Sequence, residues 1–293
     1  MLGEASEELA ILKKLKTRRQ PLIDRMDKTF GYFRGDKFTM PESEGKWDNV
    51  TSNRAQSEGW KMINILAGAR RSIFNEAKKE DKEDRNKLSY NELLVNGLLF
   101  GAESKEGLPD EPWLQAQMAF YRVVRGWGAY RLMVMEDEDK NPYLDLAVWD
   151  SRNVNYIPGK KGLLKVYYTS FPLKEQADDE YGKDFSEDKD GCVTRVDVWA
   201  CGKGMKTHEA VIIGNEYVKK ELVKIGGQSI DYLPIRIQAG GAVPWVVKSD
   251  SVGSIESEEN ISSVGEDYLV NNRELLDVES RLLTYNLSAA GEE

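Results

Sequence analysis

Apolar positions along this chain recur first at helical spacing, then in alternation, and then at helical spacing again. Over residues 5–33, Leu9, Leu12, Leu15, Leu22, Ile23 and Met26 fall three or four apart. That spacing predicts one or two helices, with Pro21 as a break or a first turn. A second helix is predicted from about Asn53 to Lys78, with Trp60, Ile63, Leu66, Ile73 and Phe74 on its buried face. The alternating charges of residues 78–87 read as a solvated helix end or linker. A third helix follows from Leu88 to Phe100, its apolar side carried by Leu93, Leu94, Leu98, Leu99 and Phe100. A fourth begins near Glu111-Pro112, with proline in the first turn, and continues through Leu114, Met118, Tyr121, Val124 and Trp127.

Beyond Trp127 the period changes to two. Tyr130, Leu132 and Val134 alternate with Arg131, Met133 and Met135, which suits a strand. Residues 136–142 make a turn, and Tyr143, Leu144, Leu146 and Val148 form the returning strand. Val154–Ile157 and Leu163–Thr169 read as two more short strands around glycine turns. A short polar helix is predicted over 172–183, then strands at 193–200, 210–213, 217–223 and 233–238. The longest predicted element is the last. From Ser257 to Asn286 there is no proline, and Ile261, Val264, Tyr268, Leu275 and Leu282 keep helical spacing. Helices and strands in separate runs predict an α+β fold.

Composition narrows the function classes. The chain has 293 residues, 40% hydrophobic and 31% charged, which is enough for a core and two sub-domains. A net charge of −9 argues against tight, sequence-reading DNA binding, although not against a surface that DNA slides past. The two cysteines, Cys192 and Cys201, form no CxxC pair and read as reduced thiols. The charged N-terminal segment has no signal-peptide core and no run approaches membrane-spanning length, so a cytoplasmic location is expected.

Little of the chain suggests catalysis. His208, the single histidine, lies among polar residues and reads as a surface loop; it leaves no multi-histidine metal site. Asp188-Lys189-Asp190-Gly191 resembles part of a calcium loop, but positions one and twelve would be Ser186 and Asp197, and a strand follows where a helix is needed. A polar hairpin turn is the simpler reading. Gly126-Trp127-Gly128 and Ala239-Gly240-Gly241-Ala242 are not phosphate loops, so an ATP-driven motor is excluded. The acidic runs 136–139 and 178–180 lie in turns and on a polar helix, where solvated charge is the simpler reading than a two-metal site. The basic cluster Lys13, Lys14, Lys16, Arg18 and Arg19 reads as a solvated helix face. Seven tryptophans, spread evenly, read as packing residues.

One stretch is distinctive. A helix runs into Gly126-Trp127-Gly128; two strands follow, then Trp149-Asp150-Ser151-Arg152-Asn153-Val154. This order resembles the wing-domain core of tailed-bacteriophage portal proteins, the head–tail connector rings. In the family the latter phrase has proline where Ser151 stands. Tyr90–Leu99 and Pro112–Arg122 resemble the helices ahead of that core. Val166–Glu180 resembles the strand leading into a stem helix, and Asn271-Asn272-Arg273-Glu274-Leu275-Leu276 the returning stem helix.

The resemblance implies a portal-like α+β fold. Residues 1–170 would form the N-terminal part of the wing, 171–186 a first stem helix, and 187–252 a small α/β clip. Residues 253–293 would be the returning stem helix and the start of a further wing segment, with the rest of the wing and the crown outside this chain. It also implies a non-enzymatic ring, commonly a dodecamer, at the capsid vertex, assembled in the host cytoplasm. Viral double-stranded DNA would be packaged and ejected through it without sequence specificity, and no cofactor is expected. Implied partners are further copies of the chain, the terminase large subunit, the major capsid protein and head-completion or adaptor proteins. Channel candidates are Lys174, Lys183, Glu256, Glu258 and Glu259; docking candidates on the clip are Asp184, Asp188, Asp190 and Lys206. The alternatives are a metal-dependent nuclease or phosphoesterase using the acidic clusters, and another head–tail adaptor.

Overall fold

A computed structural model describes residues 2–36, 53–68, 90, 92–94, 96–97, 101, 114–136, 141–159, 162–188, 190–202, 204–225 and 227–239. The long C-terminal helix predicted over 257–286, with Glu256, Glu258 and Glu259 in or beside it, lies outside the described residues. So do residues 69–89 and the acidic turn at 137–140.

Three helices and the first strands follow the predicted order. Helix α1 is Ala5–Arg34, α2 is Arg54–Gly68 and α3 is Leu114–Val124. Strands β1 (Trp127–Glu136) and β2 (Pro142–Trp149) come next, then a 3₁₀ turn at Ser151–Asn153, then β3 (Val154–Gly159) and β4 (Gly162–Ser170). Helix α4 is Lys174–Tyr181. It is followed by β5 (Arg195–Ala200), β6 (His208–Ile213), β7 (Glu216–Leu222), the short pair β8 (Lys224–Ile225) and β9 (Gln228–Ser229), and β10 (Ile235–Ala239). The molecule is thus of mixed α and β content.

Strand pairing among the described residues is antiparallel. The two larger sheets have the orders β10-β1-β2 and β3-β4-β5-β6-β7, and β8-β9 form a separate pair. In the first, Trp127 pairs with Ala239 and Ala129 with Trp149. In the second, Tyr167 pairs with Val198 and Val198 with Ala210. Pro158 sits where β3 shifts register, on an edge strand, the place where a missing N–H costs no ladder bond.

The two sheets pack face to face. Trp127, Ala129, Met133 and Trp149 from the first sheet meet Val154, Val166 and Trp199 from the second, and Val223, Leu233 and Ile235 close the layer. Trp149 stacks on Tyr168 with centroids 4.7 Å apart and planes 6° from parallel. On the far face of the five-stranded sheet, Tyr167, Val196, Val198 and Ile212 are covered by Ala5 and Leu12 of α1. The same helix gives Met26 to the inter-sheet core and Phe33 to a third cluster with Ile63 of α2 and Val123 of α3. One helix therefore joins three apolar clusters.

Several expectations change here. Helix α1 runs unbroken through Pro21. Loss of one backbone bond there is outweighed by burial on both sides, with Leu12 upstream and Met26 downstream. Ile63 is fully buried on α2 as predicted, but Trp60 and Leu66 are exposed, so the buried stripe is narrower than the spacing suggested. Leu93 and Leu94, predicted on the apolar side of a helix, are also exposed. His208 opens strand β6, half-buried, instead of sitting in a loop. Arg19 does not join a solvated face: it is 8% exposed.

The boundaries expected after residues 170 and 186 fall inside one packed unit. Strand β5, assigned to a separate clip, pairs with β4 of the wing from Lys165↔Ala200 to Ser170↔Arg195. Strand β10, also assigned to the clip, pairs with β1. The expected stem helix 171–186 is the eight-residue α4, about 12 Å long at helical rise. It lies on the sheet through Ala177, which packs with Val193, Val211 and Ile213. A hydrogen-bonded ladder and a shared core leave no separate stem and clip within residues 171–239.

Candidate functional site

The helix-to-strand junction that drew the sequence reading is built from one glycine turn. The Arg125 amide donates to Tyr121 O at 2.9 Å, and Gly126 then takes φ 83°. A left-handed residue just past the last turn is the usual helix stop, and glycine adopts it without a Cβ clash. Trp127 follows as the first residue of β1 and is 1% exposed. Gly128 is buried, but a Cβ there would make only ordinary contacts, at 3.6 Å to Arg122 Cγ.

The Trp149–Val154 phrase makes the corner between the sheets. Asp150 caps the 3₁₀ turn, its Oδ1 accepting from the Arg152 amide at 3.0 Å. The Arg152 guanidinium folds back onto Asp150 Oδ2 at 2.7 Å and reaches Asp27 Oδ1 of α1 at 3.0 Å. The Asn153 amide donates to Asp150 O at 2.9 Å. Arg125 donates to the same Asp27 Oδ1 at 3.0 Å and to Met26 O at 2.9 Å, with its guanidinium 4.4 Å from the Phe30 ring centroid. One carboxylate on α1 thus ties together the end of α3 and the inter-sheet corner. The Asp150 hydrogen bond holds Arg152 above its ordinary value, while burial and the adjacent Arg152 lower Arg125.

Replacing Asp27 with alanine should therefore cost about 1–3 kcal/mol, since the buried Arg125 loses its charged acceptor. The measurement is the urea midpoint of the variant against the native chain. A midpoint unchanged within error would show that the shared carboxylate does not hold this corner.

Two more charged side chains anchor α1: Glu8, which no sequence expectation covered, and Arg19, which was expected on a solvated face. Glu8 is 1% exposed. Its Oε1 accepts from Lys165 Nζ and from the Gly3 amide, each at 2.7 Å, and its Oε2 from Tyr167 Oη at 2.6 Å. Burial alone would raise this carboxyl; the three donors together outweigh it and leave it below the ordinary value. Arg19 donates to Val154 O, and its guanidinium lies 4.9 Å from the Trp127 centroid and 5.4 Å from that of Tyr156. Burial lowers its affinity for a proton. The signal was available. Positions 5, 8, 12, 15, 19, 22 and 26 are spaced three or four apart, so Glu8 and Arg19 sit on the apolar stripe of α1. A charge on that stripe needs a partner across the interface.

Of the residues named for DNA and motor contact, Lys174, Lys183, Asp184, Asp188 and Asp190 lie on and just after α4, where the Lys174 amide donates to Gly191 O at 2.9 Å, and Lys206 lies apart from them. Lys174 is held by Asp178 and Asp184, both within ion-pair distance, and those carboxylates raise its affinity for its proton. It is not an isolated positive charge. Lys183 is exposed just past Gly182, which ends α4 in a left-handed turn. Asp188 Oδ2 accepts from the Thr194 amide at 2.7 Å, and Asp190 takes φ 55° beside Gly191. That segment is a polar turn, and Asp197 belongs to β5, paired with Arg195 at 2.8 Å. Lys206 Nζ donates to Ser229 O at 3.2 Å, in a different loop.

Among the described residues no three His, Cys, Asp or Glu side chains converge as a metal site. Both cysteines are free, Cys201 buried and Cys192 half-buried. No described helix is long and apolar enough to cross a membrane. What the geometry provides is a rigid joint between a helix and two sheets. Comparison with protein-family models and with curated proteins returns no match for this sequence.

Proposed function

We propose that this chain is a structural subunit of a portal-type ring at a viral capsid vertex, through which double-stranded DNA is packaged and ejected. The observation that carries the proposal is the order helix, Gly126-Trp127-Gly128, antiparallel strand pair, and Asp150-capped corner, which resembles the portal wing core. The described residues would form the wing-type body. Their charged side chains support a non-catalytic role, since Asp27 and Glu8 are engaged in holding elements together and Asp150 in capping the corner. In this reading the terminase large subunit, the major capsid protein and adaptor proteins dock on the assembled ring. Copies would pack through heterologous contacts that close.

The test is negative-stain microscopy and light scattering of the purified chain at micromolar concentration over a range of salt. The expected result is a closed ring with a central channel. A strictly monomeric species in every condition would overturn the proposal. A ring that co-purifies with tail proteins and never with a terminase large subunit would instead make the chain a head–tail adaptor.

A further inference from the structure

The outer face of the three-stranded sheet is apolar and incompletely covered. Alternation along β1 sends Trp127, Ala129 and Met133 into the inter-sheet core and Tyr130, Leu132 and Val134 to the opposite side. Register sets those three across from Val148, Leu146 and Leu144 of β2. Both strands are thus largely apolar on both faces, a pattern that belongs to strands covered on both sides. Helix α3 covers part of the outer face, with Leu114 packed on Leu146 and Tyr130, Leu144 and Val148 around the pair. The cover stops short of the far half of β1, where Leu132 stays 41% and Val134 36% exposed. Single exposed apolar side chains are ordinary, but these two adjoin four others in one ladder.

Cations border this patch. Arg236 of β10 lies beside Tyr130 in the ladder, is exposed, and forms no ion pair among the described residues. Arg122 of α3 lies over Gly128, its Cγ 3.6 Å from where a Cβ would stand, and its Nε is buried without a hydrogen-bond partner among the described residues. Glu136, the acid that alternation places on this face, stands at the opposite end of β1.

The chain carries a segment of matching character outside the described residues. Residues 257–286 have Ile261, Val264, Tyr268, Leu275 and Leu282 at helical spacing, with Glu266, Glu274 and Asp277 off that stripe. Residues 256–293 hold ten Asp and Glu against Arg273 and Arg281, so nearly all of the net charge of −9 lies there. An acidic amphipathic helix is complementary to an apolar surface beside cations. The tether suits it as well. Ala239 ends β10 opposite Trp127, on this same sheet. Residues 240–256 can span up to about 55 Å, and Leu132 lies about 17 Å along β1 from Trp127. Trp60 and Ile65 of α2 are also exposed, but the charges beside them, Lys61 and Glu58, already pair with each other.

We propose that residues 257–286 pack their apolar stripe on the outer face of β1–β2 of their own chain, with carboxylates toward Arg122 and Arg236, and so complete the cover that α3 leaves open. The docking is a property of one chain and does not depend on ring formation.

The experiment is amide hydrogen exchange of the full chain at low salt, read over residues 257–286. Those amides should exchange many-fold slower than in an unstructured chain, equally at low and high protein concentration. Leu132→Asp should speed their exchange several-fold and leave β5 and β6 unchanged. Arg236→Glu, at an exposed position, should act in the same direction to a smaller degree, as should raised salt. Leu173→Asp, at an exposed apolar position before α4, should leave the segment unchanged. If Leu132→Asp does not fold, Arg236→Glu decides alone. Rapid exchange throughout 257–286 in the native chain would overturn the proposal, and so would protection indifferent to both variants. Protection that appears only as protein concentration rises would overturn it too, and would make a second copy the occupant.

Discussion

Trp199→Ala should remove about 3–5 kcal/mol of folding stability, the usual cost of deleting a buried aromatic side chain together with the cavity it leaves. Trp199 is fully buried on β5, in the layer where the two sheets meet. Val166 and Trp149 lie in the same cluster, and the Arg131 guanidinium lies 5.8 Å from its ring centroid. Rigid ladders on both sides leave the cavity little room to collapse. Domains of this kind have about 5–15 kcal/mol to lose, so the variant should be marginal or unfolded. Trp199→Phe separates volume from polarity. It keeps most of the packing and removes an indole N–H that finds no hydrogen-bond partner among the described residues. It should cost far less than alanine. Urea titrations of both variants read the difference, and equal losses would mean that the cavity is not the cause.

Glu8→Ala should cost a similar amount, about 3–5 kcal/mol, because it breaks a buried ion pair by removing one partner. Lys165, only 17% exposed, would keep its charge without a carboxylate, and Tyr167 Oη and the Gly3 amide would lose their acceptor. The first turns of α1 should then detach from the five-stranded sheet, which exposes Tyr167 and Val198. Tyr167→Phe removes one donor only and should cost about 1 kcal/mol. The pH dependence has a definite sign. The Glu8 carboxyl is lower in the folded chain than in the unfolded one, so its contribution is present above the unfolded value and lost as pH falls through the folded value. Urea midpoints at pH ~7 and at pH ~3 should therefore converge between Glu8→Ala and the native chain in acid. A constant gap would show that Glu8 acts through packing and not through its charge.

These two positions differ in how legible they were. Trp199 stands in the strand predicted over 193–200, and its assignment to packing followed from the even spread of the seven tryptophans. Glu8 stands among exposed glutamates and lysines at the start of a charge-rich helix, and the count of charges hid it. Only its place on the stripe with Ala5, Leu12 and Leu15 marks it, and that mark carries no partner's name. Lys165 is 157 residues away in sequence. Arg19 repeats the lesson. Its counterparts are two aromatic rings and a carbonyl, none of which a search for opposite charges would find. The Trp149–Val154 phrase was recognised as a unit, but its link to Asp27 and Arg125 was not, since that link joins three elements distant in sequence.

The amino-acid sequence by itself determined the local elements. Period-3.6 and period-2 patterns placed α1, α3 and nearly every strand within a few residues, because each pattern reflects which face of a single element is hidden. Gly126 and Gly182 end two helices in left-handed turns, although the helical spacing ran on to Trp127 and to 183. Tertiary structure alone decided the pairing. A strand's outward hydrogen bonds carry no sign of their partner, so nothing local showed that β4 joins β5 or that β10 returns to β1. A short polar helix looks the same whether it stands free or caps a sheet, so nothing local opposed the stem that the resemblance implied for 171–186. Burial of charge was decided there too, because desolvation is set by everything that closes around a residue and not by its neighbours in the chain.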